Sequence, residues 1–285
     1  MGRKISYLIV LAGLMSTGSK AQQTPRMASQ NDMYCSGTVT SEAVPRTTYV
    51  ISGPDSADHV VYSQNDYVFV NKGSAQGVKV GDEFSVIRPV SDQVRYPWFV
   101  YQNSLLRAMG TMYEDEALIR VRNVQRDTST AEIVFSCGYV QRGDLVTPFV
   151  ARPAPTLKPE AKMDLFAPPS GKAKAMIVTG RDFTEAGGER TIFYVNLGSA
   201  QGVKVGDYFR VFRYQNGHHE SVYQTTGTAY QMYGFGTTPQ KYTWSDLPRD
   251  VLGEAVVLRV SPNAATVLIT HSESEIYDGD YVELQ

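Results

Sequence analysis

Gly73-Ser74-Ala75-Gln76-Gly77-Val78-Lys79-Val80-Gly81-Asp82 returns unchanged as Gly198-Ser199-Ala200-Gln201-Gly202-Val203-Lys204-Val205-Gly206-Asp207, 125 positions later in a chain of 285 residues. That period exceeds the roughly 20–50 residues of solenoid and propeller repeats, so the duplicated unit is a whole domain. Asp66-Tyr67-Val68-Phe69-Val70-Asn71 leads into the first copy and Phe84-Ser85-Val86-Ile87-Arg88 leaves it. Thr191-Ile192-Phe193-Tyr194-Val195-Asn196 and Phe209-Arg210-Val211-Phe212-Arg213 take the same places around the second. Their alternation of apolar and polar residues is the pattern of half-buried strands.

The likeness continues on both sides. Tyr49-Val50-Ile51-Ser52-Gly53 matches Met176-Ile177-Val178-Thr179-Gly180 upstream. Downstream, Ala131-Glu132-Ile133-Val134-Phe135 resembles Ala265-Thr266-Val267-Leu268-Ile269, and Arg142-Gly143-Asp144-Leu145-Val146 resembles Asp278-Gly279-Asp280-Tyr281-Val282. Each unit therefore supplies about five short strands and no long helical period. The expected fold class is all-β: two similar small antiparallel β-barrels or sandwiches in tandem. Gly73, Gly77, Gly81 and Asp82, with Gly198, Gly202, Gly206 and Asp207, are read as structural turns: glycine supplies positive φ and the aspartate caps backbone N–H groups. Val78 and Val80, like Val203 and Val205, are expected to point inward. A phosphate-cradling loop is disfavoured because the motif lacks a Gly-Lys-Ser/Thr ending.

The expected boundaries are a signal peptide over 1–21, an N-terminal segment over 22–46, the first unit over 47–150, a Pro-rich linker over 151–173 and the second unit over 174–285. Arg3 and Lys4 precede the apolar run 5–15, and Ser19-Lys20-Ala21 offers a cleavage point near Ala21, the layout of a secretory signal. The run is too short to span a bilayer, and no span is expected after cleavage. The destination is periplasmic or secreted. The whole chain has 27 basic and 29 acidic residues; losing Arg3, Lys4 and Lys20 leaves 24 against 29, about −5. Such a balance does not suit nucleic acid or anionic lipid. In an oxidising compartment Cys35 and Cys137 are expected to pair, stapling residues 33–38 to the first unit. The linker, with Pro153, Pro155, Pro159, Pro168 and Pro169, is expected to be an extended, semi-rigid connector.

The copies diverge most after the strand that follows the repeated loop. The first carries Trp98, Phe99 and Tyr101 there; the second carries Tyr230, Tyr233, Phe235, Tyr242 and Trp244. Aromatic loops on a rigid frame are candidate binding surfaces for sugar rings or a protein partner, or else caps on the barrel ends. Catalytic signals are weak. His218-His219-Glu220 has metal-ligand residue types, but strand neighbours face opposite ways and Asn216-Gly217 before them reads as a hairpin turn. Asp115 and Glu116 are adjacent carboxylates that a regular strand would send apart. No catalytic residues, metal or cofactor are assigned.

The stretch from a strand ending in Asn-x-Gly through Gly-Val-Lys-Val-Gly-Asp to an aromatic-led strand, at residues 70–86 and 195–211, resembles the C-terminal domain of flagellar assembly protein T and related modules found in secreted bacterial proteins with LysM domains. Gly253, Ala265-Thr266-Val267 and Gly279-Asp280 agree more weakly. The resemblance covers about half of each unit and implies a small envelope β-barrel that mediates interactions. It does not extend to the other domains of the flagellar protein or to a LysM repeat. The expected function is a non-enzymatic envelope interaction or scaffold module, with an envelope protein as partner; the alternative is a binder of peptidoglycan or another cell-wall glycan.

Overall fold

The computed structural model describes residues 26–91, 96, 99–159, 162–214 and 248–285, with 230–232 and 235–238 as backbone only. The chain is all-β. In the first unit the strands are β1 (Thr38–Thr40), β2 (Val50–Ser52), β3 (Val61–Tyr62), β4 (Tyr67–Val70), β5 (Glu83–Val90), β6 (Thr111–Val124), β7 (Ser129–Ser136), β8 (Val140–Gln141) and β9 (Leu145–Pro148). In the second they are β10 (Lys174–Gly180), β11 (Ala186–Gly187), β12 (Ile192–Val195), β13 (Tyr208–Arg213), β14 (Tyr230–Met232), β15 (Phe235–Thr238), β16 (Asp250–Val260), β17 (Ala265–Ser272), β18 (Ile276–Tyr277) and β19 (Tyr281–Leu284).

The second unit is a closed barrel in the order β10-β12-β17-β16-β13-β19. The first has the matching order β2-β4-β7-β6-β5-β9. Its two edges meet through a Tyr49–Leu145 bridge and through Val50 N–H to Asp144 O and Gly143 N–H to Val50 O, both 2.9 Å. The same two bonds recur in the second barrel as Ile177 N–H to Asp280 O and Gly279 N–H to Ile177 O, both 2.8 Å. Closure removes the unpaired edges that would invite aggregation. Each barrel has six main strands rather than five. The unexpected ones are β6 and β16, the longest strand of each unit.

The cores correspond position by position. Val50, Val70, Val78, Phe84 and Val86 fill one, and Ile177, Val195, Val203, Phe209 and Val211 fill the other. Where the first barrel has Val68 and Ile119, the second has Phe193 and Ala255 in the equivalent registers, so a larger side chain is matched by a smaller one across the core.

The repeated loop adopts one geometry twice. Gly77 and Gly202 sit at φ 83° and 85°, and Gly81 and Gly206 at 94° and 89°. Gln76 and Gln201 accept the N–H of Gly73 and Gly198 at 2.8 and 2.9 Å; Asp82 and Asp207 accept from Lys79 and Lys204 at 2.9 and 2.8 Å. Gly73 and Gly198 are extended, and glycine is needed there for space: a Cβ would lie 2.5 Å from Gln125 O or 2.2 Å from Ser261 O. Val78 and Val203 are buried, but the expectation for their neighbours is corrected. Val80 and Val205 are 66% and 45% exposed, because each stands at the corner of a tight turn whose next residue is the positive-φ glycine.

The Cys35–Cys137 staple of the N-terminal segment onto the first unit is present as expected, but that segment and the linker also pack closely on the second barrel. A short helix α1 (Gln30–Tyr34), capped by Ser29 and Asp32, ends at Cys35, which is disulfide-bonded to Cys137. β1 then pairs with the start of β6, beyond the end of β7. Met33 and Ala28 join Leu157 of the linker on the outer face of the second barrel, against Ile192, Tyr208, Val256, Leu258 and Leu268. Backbone bonds knit the two segments together: Ala28 N–H to Pro155 O at 3.0 Å and Leu157 N–H to Arg26 O at 2.7 Å. The linker is thus a strap on the second barrel rather than a free spacer.

Candidate functional site

Of the expected aromatic surface, Phe99 is 2% exposed and lies between the barrels with Val39, Tyr96, Met109, Val178 and Tyr194. It offers no face to a partner, because the inserted helix α2 (Gln102–Met109) folds the segment inward and carries its apolar side to the second barrel. Tyr101, just before that helix, is 69% exposed. Tyr230 and Phe235 belong to the β14–β15 hairpin. Trp98, Tyr233, Tyr242 and Trp244 lie outside the described residues, as do His218, His219 and Glu220.

The structure instead gathers chemistry at the seam between the barrels. Gln102 on α2 donates through Nε2 to Val178 O at 2.9 Å. Arg259 of β16 reaches Asp115 of β6 at 2.9 Å and Gly37 O at 3.1 Å, while the Gly37 N–H donates to Asp115 at 2.8 Å. Tyr194 and Thr266 donate their hydroxyls to Ser36 O and Gly37 O, and Ser261 donates to Val39 O. The N-terminal segment is therefore a shared strip bonded to both barrels.

Beside Asp115, next to the disulfide, is a hollow of about 210 Å³ bordered by Glu114, Asp115, Glu116, Asp182, Arg88 and Arg181. A regular strand would have sent the three successive carboxylates of β6 to opposite faces. They border one hollow because the strand bulges at Glu116: Val86 pairs with Ala117 and Ile87 with Asp115, leaving Glu116 unpaired between them. Glu116 is only 3% exposed and has its carboxyl pressed toward Gly138, where an added Cβ would stand 2.6 Å from Oε2. Its Oε1 is 2.9 Å from Arg88 Nη1 but off the hydrogen-bonding direction. Burial raises its pKa to about 7, opposed by Arg88 and reinforced by the charges of Asp144, Glu114 and Asp115. Glu114 is also raised, by burial and then by Asp182.

Arg88 belongs to a motif invisible along the sequence. Its Nε and Nη2 form a fork on Asp144, both at 2.8 Å, and Nη2 also donates to Tyr139 O. Arg213 makes the same fork on Asp280, both at 2.7 Å, and donates to Glu275 O. Burial opposes the charge of each arginine, but the aspartate bonds outweigh it and both pKa values are raised. Such bidentate pairs combine strength with fixed geometry. Gly143-Asp144 and Gly279-Asp280 each turn the chain with glycine at positive φ; that Asp144 and Asp280 are also the anchors of distant arginines had no local signal.

Arg88, Asp115 and Asp144 are thus each committed to a partner inside the protein. Among the described residues no group of three or more His, Cys, Asp or Glu converges to hold a metal, and no helix is long and apolar enough to cross a membrane. No family model matches the chain, and no curated protein matches it.

Proposed function

We propose that the chain is an exported, non-enzymatic interaction module of a bacterial cell envelope, a two-barrel frame that displays its outer surfaces to another envelope protein. The observation that carries this reading is the use made of the parts outside the barrels. The N-terminal segment and α2 are consumed in joining the two barrels, through Gly37 between Arg259 and Asp115, the buried Gln102 and the apolar seam around Phe99, and the linker straps the N-terminal segment onto the second barrel. A fold that spends its insertions on rigidity suits presentation of surface. The Cys35–Cys137 bond supports an oxidising destination, in keeping with the signal-like residues 1–21. The resemblance of the repeated loop to envelope modules motivates the choice of compartment.

The glycan-binding alternative retains one observation, the exposed pair Val100 and Tyr101 at 75% and 69%. One experiment separates the two readings. The oxidised protein is offered purified peptidoglycan and, in parallel, a cross-linked envelope extract, with Trp98→Ala/Trp244→Ala as control. The scaffold reading expects one discrete envelope protein in near-stoichiometric yield and no retention on glycan. Glycan retention that the double variant loses would replace it with the alternative.

A further inference from the structure

The two barrels treat one face in opposite ways. In the second, β13 and β19 pair Arg210 with Glu283. Glu283, fully buried, accepts from Arg210 at 3.1 Å and Arg249 at 2.6 Å through Oε1, and from the Ser170 N–H at 3.2 Å through Oε2. Two guanidinium groups there share one internal carboxylate. In the first barrel the equivalent register on β5 and β9 pairs Ser85 with Thr147. That face again receives two guanidinium groups, Arg152 from just beyond β9 and Arg259 from the neighbouring barrel, around a hollow of about 310 Å³. No carboxylate stands where Glu283 stands.

Arg152 is the group left over. Its Nε is enclosed without a hydrogen-bond partner, and the guanidinium makes no ion pair among the described residues. The guanidinium carbon stands 5.1 Å from the centre of the Tyr34 ring. Asp115 is already held by Arg259 and the Gly37 N–H. Glu42 borders the hollow, but it is exposed and forms no ion pair with Arg152. Burial and then the charge of Arg259 lower the pKa of Arg152 to about 10, against the pull of Asp115 and Tyr34, so it stays charged at neutral pH. A half-buried cation without a counter-ion is costly, and proteins ordinarily answer it with an anion.

We propose that the hollow between Arg152, Arg259, Ser85 and Thr147 binds a small oxyanion, a carboxylate or phosphate group, in the place that Glu283 fills in the second barrel. Guanidinium groups match the paired oxygens of either anion. The Ser85 hydroxyl can donate to a remaining lone pair, and the Thr147 hydroxyl, which donates to Ser85 O at 3.5 Å, can turn from that long bond to do the same. The site is composite: it needs the first barrel, the start of the linker and the docked second barrel together. It goes beyond the scaffold reading and stands whatever the compartment.

The test is titration of the dialysed, oxidised protein with phosphate, with acetate and with chloride at matched ionic strength, followed by calorimetry and by Tm. A saturable response to phosphate or acetate beyond that of chloride is expected, and the anion that gives it identifies a tetrahedral or a planar ligand group. Arg152→Gln should weaken it roughly tenfold or more. Thr147→Glu builds the second barrel's own solution into the first; it should raise Tm without added anion and abolish the response, which keeps the test decisive if Arg152→Gln does not fold. A wild-type response no larger than that to chloride, or a response undiminished in the variants that fold, overturns the proposal.

Discussion

On the outer face of the first barrel, Glu83 pairs with Arg120 at 2.7 Å and Glu132 with Arg122 at 2.6 Å, all partly open to solvent. In the second barrel the same four positions are Tyr208, Val256, Leu268 and Leu258, buried beneath Ala28, Met33 and Leu157. The cores and the repeated loops barely differ. What changed after duplication is which face is covered, and the sequence followed: alternation survives where water remains, and a continuous apolar run such as Ile192-Phe193-Tyr194-Val195 appears where both faces are buried. Turn chemistry and core shape define the unit, while its outer face records its neighbours.

That contrast is broken most severely by Leu268→Glu. An uncompensated charge beneath the strap should lower stability by about 3–5 kcal/mol, whereas Glu132→Leu, which dissolves a semi-exposed ion pair, should change it by less than about 1 kcal/mol. Urea unfolding of both variants decides; comparable losses would mean that the strap does not seal the second barrel. The arginine forks sharpen the comparison next. Asp280→Ala leaves Arg213 without its carboxylate and should cost about 3 kcal/mol. Asp144→Ala should cost about 1 kcal/mol less, because Arg88 keeps Glu116 at 2.9 Å. Equal losses would show that Glu116 does not back up the fork.

The bulge residue is itself a difference, Glu116 in one barrel and Leu252, buried, in the other. A carboxyl whose folded-state pKa is raised holds its proton more firmly when folded. Its stabilising share is therefore full below the ordinary carboxyl range and is lost as pH rises toward about 7. Between about pH 4.5 and 7 the wild type should lose up to about 3 kcal/mol relative to Glu116→Leu. Raised Glu114 pulls in the same direction in both proteins, while the lowered pKa of Glu283, where its arginine bonds outweigh burial, acts in the opposite sense and below this range, its share being lost as pH falls under about 4.5. Only the difference between wild type and variant isolates Glu116, and parallel pH profiles would remove it as a titrating group in this range. The smallest effects belong to the shared loop. Gly77→Ala and Gly202→Ala should each cost about 1–2 kcal/mol by forcing a side chain into left-handed backbone, while Val80→Ser at the exposed corner should stay within about 0.5 kcal/mol. A marked inequality between the two glycine variants would show that the copies are not equivalent in energy.

The readable part of the sequence is its local part. Glycines at positive φ, aspartates two or three residues from the N–H groups they cap, and alternating strands announce themselves within a few positions, and from them the all-β class and the turns at Gly77, Gly81, Gly202 and Gly206 could be read. β6 stayed hidden because Glu114-Asp115-Glu116 interrupts its apolar pattern at the bulge, where a polar bulge residue passes for a loop. Val80 was misread because strand alternation was carried into a turn, where it does not apply. The forks Arg88–Asp144 and Arg213–Asp280 span 56 and 67 residues, and the seam joins Arg259 to Gly37 across 222. No window along the chain contains both partners of such contacts, so neither the seam nor its two hollows had a signature to find.

The shared N-terminal strip also sets an order of events. Gly37 and Val39 are made early, yet their carbonyls are bound by Arg259, Ser261 and Thr266, more than 200 residues further on. A chain emerging from its N-terminus therefore carries an unfinished edge until β16 and β17 have appeared. The whole first barrel and both Cys35 and Cys137, 102 residues apart, are available before that moment, so the strip can be tethered before the second barrel arrives on it. Contacts so distant in sequence make for slow folding. A disulfide formed in that interval would hold the strip at its station and shorten the search that completes the molecule.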